Sequence, residues 1–121
     1  MNKKWTRDEI ILACELTREN GWKGLSATDE RVQALSSLLR NNPVHAMDAG
    51  DPTFRNVNGV ARKTWDIATR HPGYEGKATH GNKLDKEVLN DFLENQAEMV
   101  TMAQEIRAEL STPGGSAASL L

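Results

Sequence analysis

Apolar residues recur every three or four positions in four segments of this chain, and polar turns rich in Gly, Pro and Asn separate the segments. That spacing places the apolar side chains along one face of a helix. The pattern therefore predicts a small, mainly α-helical domain. With 121 residues, of which 38% are hydrophobic, the chain can bury one core without disulfide or metal crosslinks, but it is too short for two independent domains.

The first helix is predicted at about residues 7–19. Thr6 can accept a hydrogen bond from the amide three residues on, and Glu9 can reach back to the amide of Thr6, which is the pattern of a capping box. Asn20-Gly21 then supplies the residues that end a helix in the left-handed conformation.

The second helix is predicted from Ser26 or Thr28 to the residue before Asn41-Asn42-Pro43. Apolar residues recur at helical spacing across this stretch. The polar residues 41–53 that follow contain two prolines and a glycine, and they are predicted to form a loop.

The third helix is predicted to begin after Asn56, a good capping residue, and to continue to about Ala68. Gly59 in its first turn is a poor helix former, which indicates that another group approaches the backbone closely there. Residues 71–81 contain three glycines and a proline, so they are predicted to form a loop or a short hairpin.

A long last helix is predicted from Leu84 or Asp85 to Leu110, because this stretch contains no Gly or Pro. Its apolar stripe needs a covering surface, which is either the chain's own helices or a second copy bound through residues 91–110. Residues 111–121 have the composition of a flexible tail or linker, which leaves residues 1–110 as the folded domain.

The residues that catalysis or metal binding requires are sparse. Cys14 is the only cysteine, and the three histidines, His45, His71 and His80, are scattered along the sequence. These spacings disfavour a disulfide, a zinc site and a Cys/His catalytic couple. We therefore expect no metal, no cofactor and no catalytic residue, with Cys14 a small buried side chain of the core.

The sequence has no segment typical of a membrane protein. No stretch approaches the roughly 18 consecutive apolar residues of a membrane-spanning helix. Five of the first ten residues are charged, in the region where a signal peptide has its apolar segment. We therefore expect a cytoplasmic protein that does not enter a membrane.

Charge is unevenly distributed along the chain. Residues 53–83 contain six Lys or Arg and two Asp or Glu. Residues 91–121 contain one Arg and five Asp or Glu. A basic middle segment is compatible with an anionic partner such as DNA, and also with an ordinary solvated surface.

Three blocks of the sequence resemble the N-terminal head domain of McrA-like HNH endonucleases, which restrict modified DNA. The blocks are Trp5-Thr6-Arg7-Asp8-Glu9, Phe54-Arg55-Asn56-Val57-Asn58-Gly59-Val60 followed by Lys63, and Gly81-Asn82-Lys83-Leu84-Asp85-Lys86-Glu87-Val88 ending at Phe92. They occur in the family's order and span about residues 4–92. The resemblance implies a helical domain that binds double-stranded DNA, modified or unmodified, and places a nuclease or a regulator on it.

The sequence also departs from the family pattern. Val57 stands where the family usually has Pro, and Thr64, Ile67 and Leu89 stand where it has Leu, Phe and Trp. The His base, the metal ligands and the Cys pairs of an HNH nuclease are missing in any workable arrangement. The chain is therefore expected to bind DNA without cleaving it.

The expected architecture is a helix-turn-helix or winged-helix domain, in which the third helix is the recognition helix and the Gly-rich segment acts as a wing. A helix N-terminus attracts phosphate, and cationic side chains release counterions from DNA. The residues expected to contact DNA are Arg55, Asn56, Asn58, Arg62, Lys63, Lys77, His80 and Lys83.

Structural roles for several of these residues remain open alternatives. One alternative is that Asn56 caps a helix and makes no contact with DNA, and another is that Arg55 pairs with Asp51 or Asp85. In the same way, Asn58 can close a turn, Lys83 can pair with Glu87, and His80 can be an ordinary loop residue.

One rival function also remains open. The acidic segment 91–110 can mediate dimerisation or contact with a protein partner, in which case the basic middle segment is only surface. The three tryptophans are expected to be packing residues, because none is interleaved with a run of basic residues.

Overall fold

A computed structural model describes residues 4–48, 50–79 and 81–111. These ranges contain helices and loops and no strand, which confirms the mainly α-helical fold. The Gly-rich residues 71–79 form a loop, so the hairpin alternative is wrong for that part. The helices are α1 (Arg7–Glu19), α2 (Glu30–Arg40), a short 3₁₀ helix (Pro43–Asp48), α3 (Val57–Ala68), α4 (Lys83–Glu94) and α5 (Gln96–Ser111).

Helix α1 is the centre of the fold. Nine consecutive residues, 9–17, are buried, and α1 contacts α2, α3, α4 and α5. A helix that is buried on all sides in this way is the core element of a bundle. Helices α2, α3, α4 and α5 each contribute buried apolar residues to the core around α1.

Both ends of α1 have the caps that the sequence predicts. The Thr6 amide donates to Glu9 Oε1 over 2.9 Å, and the Glu9 amide donates to Thr6 Oγ1 over 3.2 Å. At the other end Gly21 and Trp22 have φ angles of 70° and 63°. The Trp22 amide donates back to the Thr17 carbonyl over 2.8 Å, the bond of a Schellman cap.

The prediction of one long last helix is wrong, because the helix breaks at Asn95 into α4 and α5. An unbroken helix over residues 84–110 is about 40 Å long, longer than a domain of this size is wide. The break turns α5 back, so that α4 buries Phe92 and α5 buries Met99 within the same core.

The apolar stripe of α5 finds its covering surface within the chain. Met99, Ala103 and Ile106 are buried, and α5 contacts α1, α2 and α4. Of the two alternatives for this stripe, the chain's own helices are the correct one. The tail was predicted to start at Ser111, but Ser111 is the last residue of α5, and the other residues of the predicted tail, 112–121, lie outside the described residues. Within the described ranges, no helix has both the length and the apolar character needed to cross a membrane.

Candidate functional site

A cavity of about 480 Å³ lies where the N-terminal ends of α3 and α4 meet the start of α1. Members of all three sequence blocks that carry the family resemblance contribute to its wall, although they are far apart in the chain. The lining residues are Trp5, Asp48, Asp51, Thr53, Phe54, Arg55, Asn56, Gly59, Arg62, Lys63, Asp66, Gly81 and Asn82. The fold therefore gathers the three blocks around one concave site.

Two capped helix N-termini border this cavity. The Asn56 side chain accepts a hydrogen bond from the Gly59 amide over 2.8 Å, which confirms Asn56 as the cap of α3. A Cβ on Gly59 would lie 3.2 Å from Asn56 Oδ1, which is the close approach that the glycine indicates. At the start of α4, Asn82 Oδ1 accepts from the Asp85 amide over 3.0 Å. The first turn of each helix has amides that the helix itself does not pair, and the positive end of its dipole.

Arg55 is buried, with 3% of its side chain exposed. Its Nε and Nη2 donate to the two carboxylate oxygens of Glu9 over 3.0 and 2.9 Å, and Nη2 also donates to the Lys4 carbonyl. This geometry corrects the expectation that Arg55 contacts DNA, because a paired and buried guanidinium cannot reach a phosphate. The suggested pairing with Asp51 or Asp85 is also wrong, since the partner is Glu9.

Lys63 is held in a similar way. Its Nζ lies 3.1 Å from both carboxylate oxygens of Asp85 and 4.0 Å from Asp66, and 9% of its side chain is exposed. The expectation that Lys63 contacts DNA is therefore also corrected. Its position on the inner face of α3 directs the ammonium group to α4 and away from the surface.

The two buried ion pairs form one network around Trp5. The Arg55 guanidinium lies 4.8 Å from the centroid of the Trp5 ring, and the Lys63 ammonium lies 5.4 Å from it. Each acidic partner is also the third residue of a capped helix, Glu9 in α1 and Asp85 in α4. The capping boxes and the ion pairs together therefore tie α1, α3 and α4 to one another at the cavity.

The other residues expected to contact DNA have different environments. Asn58, Arg62, Lys77 and Lys83 are exposed, whereas His80 lies outside the described residues. The side chains of Arg62, Lys77 and Lys83 have no hydrogen-bonding or ion-pair partner among residues 4–48, 50–79 and 81–111. The suggested pairing of Lys83 with Glu87 is therefore not formed there.

Helix α3 presents a narrow surface to solvent. Seven of its twelve residues are buried, and its exposed side chains are Asn58, Arg62 and Trp65. These three residues follow one another at helical spacing along a single stripe. The broad face with which a recognition helix enters the major groove is therefore mostly occupied by the core.

Sequence reasoning missed the acidic half of this site. Glu9 was assigned only to the cap of α1, and nothing in the sequence links it to Arg55, which lies 46 positions away. His45 was also missed: it is 6% exposed, and its Nε2 lies 3.3 Å from Glu9 Oε2. Asp48, Asp51 and Asp66 line the cavity beside Arg55, Arg62 and Lys63, so opposite charges balance in its wall.

Comparison of the chain with protein-family models, with curated proteins and with solved structures finds no match. Nor do residues 4–48, 50–79 and 81–111 contain a group of three or more His, Cys, Asp or Glu side chains that could hold a metal ion.

Proposed function

We propose that this chain is a non-catalytic DNA-binding domain, similar to the head domains of HNH restriction endonucleases, which places a nuclease or a regulator on double-stranded DNA. The observation that carries the proposal is the convergence of the three resembling blocks on one cavity bordered by two helix N-termini. The proposal includes a cytoplasmic location, the compartment that gives a bacterial-type restriction domain access to DNA.

The proposed contacts are the exposed cations near the cavity. Arg62 lines the cavity, and Lys83 is the first residue of α4 at its edge. Lys77 lies in the loop that leads to α4. Phosphate oxygens accept hydrogen bonds from such side chains and from the free amides of a helix N-terminus. Arg55 and Lys63 stabilise the wall of the cavity through their buried ion pairs with Glu9 and Asp85.

The burial of α3 limits how this domain can read a base sequence. Only the stripe formed by Asn58, Arg62 and Trp65 is available on that helix. Contacts to phosphate carry affinity and no direct sequence information. We therefore propose binding with little sequence preference, in which about three phosphate contacts give a slope of log affinity against log salt of about −3.

The test is a fluorescence anisotropy titration of a labelled duplex at salt concentrations between about 50 and 200 mM. Arg62→Ala and Lys83→Ala should each weaken binding and reduce the salt slope by about one. Arg107→Ala is the matched control, because it removes one positive charge from α5, which does not line the cavity. Absence of binding at low salt, or equal losses in all three variants, would contradict the proposal.

A second candidate function, contact with a protein partner or a second copy, has one observation in its favour. Leu93 and Met102 are large apolar side chains on α4 and α5 that are 41% and 40% exposed. The chain's own helices leave these two side chains partly uncovered, so a partner is able to cover them. Sedimentation analysis of the native chain and of Met102→Glu tests this candidate, because a dimer formed through residues 91–110 should dissociate in the variant.

A further inference from the structure

A second cleft, of about 370 Å³, lies between the turn after α1 and the loop after α3. It shares no lining residue with the cavity at the helix N-termini. Three aromatic rings, one cation and one carboxylate contribute to its wall. The lining residues are Gly21, Trp22, Lys23, His71, Gly73, Tyr74 and Glu75.

Trp22 is fixed in this cleft by the end of α1. Its backbone has a φ of 63°, in the left-handed region that bulky residues rarely adopt, and its amide bonds to Thr17 in the Schellman cap. Its ring stacks on His71 with centroids 4.9 Å apart, and it forms a T-shaped contact with the buried Phe92, with centroids 6.4 Å apart. The indole is therefore held in place before any ligand binds.

The other two rings are positioned by the loop itself. The Gly73 amide donates to His71 Nδ1 over 3.0 Å, so this nitrogen is an acceptor and the neutral ring carries its proton on Nε2. The Tyr74 amide donates to the His71 carbonyl over 2.9 Å, and the Tyr74 ring covers Gly76. Tyr74 remains 37% exposed, so a ligand in the cleft can reach its ring.

We propose that this cleft binds an unpaired base of single-stranded nucleic acid. Stacking on aromatic side chains accepts any base, because every base has a flat π face. Lys23 is exposed beside Trp22, and its ammonium group has no hydrogen-bonding or ion-pair partner among residues 4–48, 50–79 and 81–111, so it is free to contact the phosphate of the same nucleotide. Exposed Glu75 can accept a hydrogen bond from the base edge.

The Trp65 ring of α3 contacts the same turn. Gly24 follows Lys23, and a Cβ on Gly24 would lie 2.2 Å from the Trp65 ring, so the indole rests directly on that backbone. Trp65 is nevertheless 44% exposed. Trp65 does not line the cleft, and its contact with Gly24 holds in place the turn that carries Trp22 and Lys23.

This inference is independent of the proposed duplex-binding site. The positive charge of Lys23 and the negative charge of Glu75 balance in the cleft. Affinity for a base should therefore come from stacking more than from counterion release. The salt dependence expected here is therefore shallow, in contrast to the steeper one expected for the duplex.

The experiment measures the anisotropy of labelled decathymidylate at low salt, with an abasic strand of equal length as the control. The abasic strand keeps the phosphates and lacks the bases, so it should bind about tenfold more weakly or worse. Tyr74→Ala should weaken decathymidylate binding about fivefold or more, and Lys23→Ala should remove the remaining salt dependence. Tyr74 is chosen in preference to Trp22, because Trp22 packs against the core residue Phe92.

The control Met102→Ala removes an apolar side chain that is 40% exposed on α5, and it should leave binding unchanged. Arg62→Ala should also leave decathymidylate binding unchanged while it weakens duplex binding, which separates the two sites. Equal affinity for the abasic strand, or no effect of Tyr74→Ala, would overturn the inference. Binding of a proline-rich peptide in the absence of decathymidylate binding would overturn it as well, and would assign the cleft to peptide docking.

Discussion

Replacing Arg55 with Ala should destabilise the protein strongly, because it leaves the Glu9 carboxylate buried without its main partner. Glu9 is 1% exposed, and it receives two charge-assisted hydrogen bonds from Arg55, of 2.9 and 3.0 Å. Breaking a buried pair of this kind by removing one partner costs about 3–5 kcal/mol. For a chain of this length, the unfolding entropy converts that cost into a fall in melting temperature of about 12–20 °C.

The assay is urea unfolding followed by circular dichroism, with the free energy of unfolding extrapolated to water. Arg55→Ala should lower the midpoint without changing the slope. The double variant Glu9→Gln with Arg55→Met should recover most of the loss, because Gln still accepts the capping bond from the Thr6 amide while both buried charges are removed together. Arg62→Ala is the exposed control and should change the free energy of unfolding by less than about 0.5 kcal/mol.

A free energy of unfolding of Arg55→Ala within about 1 kcal/mol of the native value, together with a loss of affinity for duplex DNA, would contradict a structural role for Arg55. That pattern belongs to an exposed phosphate contact, which contributes little to folding. A loss of stability in Arg55→Ala with no recovery in the double variant would also refute the ion-pair argument, because the cost would then come from packing against Trp5 and Phe54.

Three further predictions concern the cap, the cysteine and catalysis. Asn56→Ala should cost about 1 kcal/mol in the same urea assay, with Asn58→Ala as the exposed control, because it removes the bond to the Gly59 amide; no loss would contradict the cap. Burial raises the pKa of the Cys14 thiol well above its usual range, so a thiol reagent should react only after unfolding, and rapid reaction of the native chain would show that Cys14 is accessible. Plasmid DNA should stay supercoiled with Mg²⁺ or Mn²⁺, and nicking that copurifies with the chain would reveal an active site.

The helix ends could be predicted from the sequence because their signals are local. Thr6 and Glu9 act across three positions, and Asn20-Gly21 ends α1 where the sequence places the end. Asn56 likewise caps α3 through an amide three residues on. Each of these features depends on hydrogen bonds within one turn of helix, so the residues involved are neighbours in the sequence.

The break at Asn95 could not be predicted in the same way. No Gly or Pro interrupts residues 84–110, and the local composition favours a continuous helix. The break follows from the need to bury Phe92 and Met99 in one core of limited width. That requirement arises from tertiary packing, which overrides local helix propensity.

The burial of Arg55 and Lys63 could not be predicted from the sequence, because the charge of a side chain does not determine its exposure. Arg55 and Lys63 lie in a basic segment, and the sequence alone suggests two surface cations. Their carboxylate partners lie 46 and 22 positions away, so only the fold shows that these cations are paired and buried. The exposed cations Arg62, Lys77 and Lys83 are left as the candidates for contact with DNA.

The residues that match the head domains include the buried ion pairs of the fold. Arg55 and Lys63, with Glu9 and Asp85, lie in the three blocks, and in this chain they join α1, α3 and α4 by buried ion pairs. Residues of this kind preserve the shape of the cavity whatever it binds. Arg62 lies between the matching positions and is the cation that lines the cavity while remaining exposed. Arg62→Ala should therefore lower the affinity for DNA, whereas Arg55→Ala should lower the stability of the fold. A chain that shares the blocks but lacks Arg62 should have the same fold and bind DNA more weakly.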